Sequence, residues 1–102
     1  MYVRISKGSY SPELHSKVSA RLNASSESLV PAIRQLSGCV SYYVGSDADS
    51  NTMVNVSVWD TLEHAQAMSS LAEMTALGEE FARMGVKFER PIVNYAAMWQ
   101  IP

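Results

Sequence analysis

The segment 52–59 constrains this chain more than any other, because it alternates with period two and then stops at a helix signal. Val54, Val56 and Val58 share one face of an extended chain, and Asn55, Ser57 and Trp59 share the other. Residues 39–45 make a second strand, with Val40, Tyr42 and Val44 alternating with Cys39, Ser41 and Tyr43. The polar segment 46–51 between the two is turn-forming, so they read as an antiparallel hairpin. Asp60-Thr61-Leu62-Glu63 then opens a helix, with Asp60 as the expected cap and Glu63 answering it three residues later.

The flanks repeat this grammar. Residues 2–7 read as a strand with Val3 and Ile5 on one side and Tyr2, Arg4 and Ser6 on the other. Ser11-Pro12-Glu13 starts a helix, and Leu14, Val18 and Leu22 give it an apolar face at four-residue spacing. The pattern weakens from Asn23 to Ser28 and resumes at Leu29, Ile33 and Leu36. Pro31 predicts a kink there or a second short helix. In the second helical region Leu62, Ala65, Met68 or Ser69, and Ala72 line a buried face. Met74, Leu77 and Phe81 continue it or form a second piece, and Gly85 stops it. Pro91 introduces a last strand over 92–100.

The order strand, helix, strand, strand, helix, strand is that of an α+β, ferredoxin-like split β-α-β-β-α-β fold: a four-stranded antiparallel sheet with both helices on one face. The other face carries apolar and aromatic side chains that a small domain does not leave to water. A second copy packed face to face would cover it, making a homodimer with a barrel-like centre, a dimeric α+β barrel. Charged residues are only 18% of the chain, below the usual quarter, which also points to a covered surface. A net charge of -2 without a basic block argues against a nucleic-acid partner. No apolar run is long enough for a membrane span, no signal pattern opens the chain, and a cytoplasmic protein is the default expectation. The single cysteine allows no intrachain disulfide.

Dedicated chemistry is hard to find. His15 and His64 are the only histidines, Cys39 stands alone, and no metal-ligand spacing, phosphate loop or nucleophile elbow occurs. What is left is the face shared by Asn55 and Trp59. Trp59 either walls a cavity between sheet and helix or fills the core. Asn55 either donates a hydrogen bond to a bound ring's oxygen, stabilising an oxyanion without a buried charge, or is tied to backbone. His64, one turn into helix two, either shuttles a proton or sits at the surface. Arg83 and Arg90 are either partners for an acidic group of a ligand or solvated; Tyr42, Tyr43 and Tyr95 read as sheet packing.

Gly38-Cys39-Val40-Ser41-Tyr42, the hairpin end Val58-Trp59-Asp60 and the helix start Glu63-His64-Ala65 together resemble the antibiotic biosynthesis monooxygenase-like domain. The resemblance covers nearly the whole chain as one domain, 1–102. It implies a cofactor-independent monooxygenase that oxidises a small phenolic or quinol with molecular oxygen, with Asn55 and Trp59 as site residues, joined by His64 from the reading of helix two, and neither a cofactor nor a metal. The small aromatic ligand would be activated by its own phenolate or enolate. The family's helix-two tyrosine is absent, Ala65 and its neighbours standing there, and whether His64 replaces it stays open. A haem-degrading reading fits worse, because Ser6 and Lys7 stand where an asparagine is wanted and Ser69 and Ser70 where a ligand histidine is wanted. The alternative is a non-enzymatic dimeric ligand-binding or stress-associated domain.

Overall fold

The computed structural model describes residues 1–102. Its sheet joins β1 (Tyr2–Ser9), β2 (Cys39–Asp47), β3 (Thr52–Trp59), β4 (Lys87–Phe88) and β5 (Val93–Ala96). The order is β2-β3-β1-β4, with β5 also paired to β1, and every pairing is antiparallel. One face is covered by α1 (His15–Arg34), α2 (Leu62–Gln66) and α3 (Ala72–Met84). This is the ferredoxin-like arrangement expected; the sheet is open, not closed into a barrel.

Three boundaries differ from the sequence reading. Helix α1 runs unbroken through Pro31. Leu29 and Ile33 are buried on either side of it. Burying each is worth about 1.5–3 kcal/mol, which offsets the hydrogen bond that proline removes. The serine-rich stretch stays helical, its Ser25, Ser26 and Ser28 hydroxyls satisfied by donating back to the carbonyls of Leu22, Asn23 and Ser25. The second cap is Thr61, not Asp60: the Thr61 hydroxyl accepts from the His64 amide at 3.1 Å. A 3-10 turn, Ala67–Ser70, then separates α2 from α3 at Leu71, which has an extended backbone. The last strand is not continuous over 92–100. Only Val93–Ala96 of it is strand, β5, and a further two-residue strand that the sequence reading did not offer, β4 (Lys87–Phe88), pairs with the same edge of β1 before it. Proline has no amide to give a ladder, and Pro91 lies between them. Trp99 falls beyond the strand and is exposed.

The faces also fall out differently from a plain alternation. Arg4, Ser6 and Gly8 of β1 are buried under the helices, together with Met53, Ser57 and Trp59 of β3. The valine-rich side is the open one. Ile5 pairs with Val56 and Val93, Val3 with Val58 and Tyr95, and Tyr43 with Val56. Ile5, Tyr43, Val93 and Tyr95 are exposed there.

Gly38 turns the chain from α1 into β2 with φ of +84°, and its carbonyl accepts the Asp60 amide at 3.0 Å. A Cβ at Gly38 would overlap both the Asp60 carboxylate and the His64 ring. Gly38→Ala is therefore expected to cost about 2 kcal/mol or more, from backbone strain plus overlap. Urea unfolding checks it, and a loss below about 0.5 kcal/mol would show that the turn relaxes freely.

Candidate functional site

A cavity of about 80 Å³ lies between the inner face of the sheet and helices α1 and α3. The polar groups on its sheet side come from three neighbouring strands: Arg4 and Ser6 of β1, Tyr42 of β2 and Asn55 of β3. Period two puts Asn55 on the same face as Ser57, and antiparallel register sets it between Ser6 and Val44. The rest of the wall is mostly apolar, with Met53, Met68, Met74 and Phe81 among its members. A larger open groove of about 670 Å³ runs between α1 and the free edge of β2. Leu22, Ser25, Leu29, Tyr42 and Val44 line both spaces, so one layer of side chains separates them.

Tyr42 reaches the cavity through a bulge. Cys39 pairs with Trp59, but the next partner of Val58 is Ser41, so the ladder slips by one residue at Val40. Cys39 and Tyr42 thus share the inner face, and Tyr43 turns outward, 66% exposed. The alternation read from sequence had grouped Cys39 with Tyr43. The Tyr42 hydroxyl is buried with no hydrogen-bond partner. Burial pushes its pKa up to about 12, the nearby Arg4 charge opposing weakly. It is a neutral phenol at physiological pH.

Arg4 is 6% exposed. Its guanidinium donates to Asn94 Oδ1 at 3.1 Å and to Ser69 Oγ at 3.0 Å. No carboxylate touches it, and desolvation lowers its pKa from the ordinary arginine value. Arg90 stands at the cavity with its guanidinium over the Phe88 ring, 4.8 Å from the centroid. Arg83 is exposed and does not line the cavity.

The three residues singled out from the sequence do not converge. Asn55 lines the cavity. Trp59 does not: it is wholly buried and its indole N–H donates to Ser57 Oγ at 2.8 Å. His64 is on α2, partly exposed, with Nδ1 2.6 Å from Asp60 Oδ1. That hydrogen bond holds the Asp60 carboxyl below the usual carboxylate range. Sequence reasoning missed Arg4, which looked like one polar position on a strand. A usable signal was present: the face bearing Trp59 must be the helix-covered one, and pairing β1 to β3 carries Arg4 and Ser6 onto it. No group of three or more His, Cys, Asp or Glu side chains is placed to hold a metal ion.

Comparison with known proteins bears on this arrangement. A Deinococcus radiodurans protein assigned to the antibiotic biosynthesis monooxygenases superposes with a TM-score of 0.76 at 22% identity, covering 100% of this chain and 97% of that one. SnoaB, a cofactor-independent oxygenase from Streptomyces nogalater, superposes at 0.63 with 16% identity, covering 99% and 96%. A dimeric ferredoxin-like protein from an uncultured marine organism gives 0.76 at 12% identity, covering 100% and 99%. These identities establish likeness of fold. No curated relative matches the sequence. The model of the antibiotic biosynthesis monooxygenase family matches residues 13–80, from the start of the first helix into α3, and the chain belongs to that family.

Proposed function

We propose that this chain is a cofactor-independent monooxygenase that oxidises a small phenolic or quinol substrate with molecular oxygen. The observation that carries the reading is Asn55, a neutral amide on the wall of a largely apolar cavity. Membership of the family and likeness of fold to SnoaB support it. In the step proposed, the bound phenolate or enolate gives electrons to oxygen at a ring carbon that bears hydrogen. One oxygen atom stays on that carbon as a carbonyl, the carbon's hydrogen leaves, and the second oxygen atom departs as water. All four electrons come from the substrate, so no external reductant enters the balance. Asn55 holds the ring's oxyanion, and the apolar wall keeps water from the reacting carbon. Trp59 acts by packing, fixing the end of β3, and the His64–Asp60 pair braces the start of α2.

Oxygen uptake with a panel of dihydroxyaromatics tests this. Asn55→Ala is expected to lower kcat/KM about 100-fold, the usual effect of losing one oxyanion donor. Turnover that is absent in the wild type, or unchanged in the variant, overturns the proposal. A second reading, a ligand-binding domain without chemistry, is favoured by His64, the one proton-shuttle candidate, which is held by Asp60 and does not line the cavity. Saturable binding without oxygen consumption would select it.

Two copies packed sheet to sheet form the assembly in either case. A monomer of 11.2 kDa should expose roughly 5,700 Å², whereas this chain exposes 6487 Å². The excess, roughly 800 Å², equals one partner's share of a standard interface. The unpartnered Ile5, Tyr43 and Val93 supply its apolar centre. Closure of the two sheets into a barrel is part of this proposal.

A further inference from the structure

We propose that the inner cavity is an anion site, and that its ligand is a single-ring aromatic acid whose carboxylate sits between Arg4, Arg90 and the Tyr42 hydroxyl. This rests on the reading of the cavity as the substrate site and names the class of substrate.

The cavity wall includes two arginines and no aspartate or glutamate. Neither arginine has an ion pair anywhere in the chain. A guanidinium carries five N–H donors, and Arg4 directs two bonds to the neutral acceptors Asn94 and Ser69. Burying that charge against neutral partners is unfavourable. The Tyr42 hydroxyl, buried in the same wall with no partner, is unfavourable for a separate reason. A single anion relieves both, because a carboxylate accepts from a guanidinium and a phenol together. Arg90, exposed and donating to the Glu89 carbonyl at 2.9 Å, adds a second positive charge at the same wall. Glu80, the one carboxylate paired to an arginine, is bound to Arg21 between α1 and α3 and does not line the cavity.

Size decides how much of the ligand fits. A space of about 80 Å³ accepts a carboxylate but not a ring as well. The adjoining wall holds Met53, Met68 and Met74, unbranched side chains that re-pack readily. Gly78 faces the same space, and a Cβ placed on it would meet nothing within 4 Å. The ring therefore displaces methionine side chains toward α3, while its carboxylate stays on the strand side. One ring can be accommodated this way; a fused polycyclic system cannot.

Anaerobic calorimetric titration with 3,4-dihydroxybenzoate and its neutral amide, 3,4-dihydroxybenzamide, tests the site without turnover. The acid is expected to bind at least about tenfold more tightly than the amide, a difference of about 1.4 kcal/mol. Arg4→Met should abolish the preference. Tyr42→Phe should raise the Tm of the free protein by about 4 °C, because it removes an unsatisfied hydroxyl, and should weaken acid binding about fivefold. Equal affinities for acid and amide, absence of binding by both, or full acid affinity in Tyr42→Phe would each overturn the proposal. The oxygenase reading fails separately. Selective acid binding with no oxygen uptake removes the oxygenase and keeps the anion site. Oxygen uptake with a neutral quinol and no preference for the acid does the reverse.

Discussion

Trp59→Ala is expected to cost about 3–5 kcal/mol, the range for truncating a large buried aromatic. A domain of this length has a total stability of about 5–15 kcal/mol, so the variant should be partly or wholly unfolded at 37 °C. The reasons are specific to the site. Trp59 has no exposed surface, its strand partners Tyr2 and Cys39 flank it on the core side of the sheet, and its N–H is the buried donor to Ser57 Oγ. Truncation leaves a void and an unsatisfied hydroxyl together. Trp59→Phe keeps most of the volume and should cost about 1–2 kcal/mol. Urea midpoints for the two variants check both figures. If Trp59→Ala cost under about 1 kcal/mol, the indole would be lining an empty, yielding space, and the wall of the substrate site would have to be redrawn around it. Oxygen uptake should persist in Trp59→Phe at low temperature, because the indole does not touch the cavity.

The second large effect concerns assembly. Ile5 and Val56 are Cα partners on the open face of β1 and β3. The wild type is expected to sediment as the proposed dimer, and the double variant Ile5→Asp, Val56→Asp as a folded monomer. A buried charge without a partner costs about 3 kcal/mol, and a two-fold interface receives each substitution twice. The dissociation constant should therefore rise by at least about 1,000-fold. Neither position faces the helices, so circular dichroism should be unchanged. A wild type that sediments as a monomer at micromolar concentration refutes the sheet-to-sheet dimer outright.

Much of the fold was legible because hydrophobic periodicity reports which element forms. The β3 alternation, the Leu14, Val18 and Leu22 face and the Gly85 stop all stand where the sequence put them. Periodicity does not report which face of a strand is inner. Arg4 and Ser6 look like solvent positions beside Val3 and Ile5, and only the register with β3 shows that the helices cover the polar set. Cap choice was similarly local: Asp60 and Thr61 are both good capping residues, and the His64 ring claimed the carboxylate, leaving the hydroxyl for the amide. Of the site, Asn55 was legible from its spacing to Trp59, but the distance along β3 that puts them on one face also separates a cavity residue from a core residue.

The slip at Val40 makes the segment 38–42 a reading frame for the strand that follows. With the extra residue in place, the interior receives the phenol of Tyr42 and the outer face receives that of Tyr43. Were the ladder to run on from Cys39 without the slip, Tyr42 would pair with Val56 on the open face and Tyr43 with Asn55 on the inner one, with no letter of the strand changed. The bulge therefore decides which tyrosine lines the cavity and which stands on the open face of the sheet.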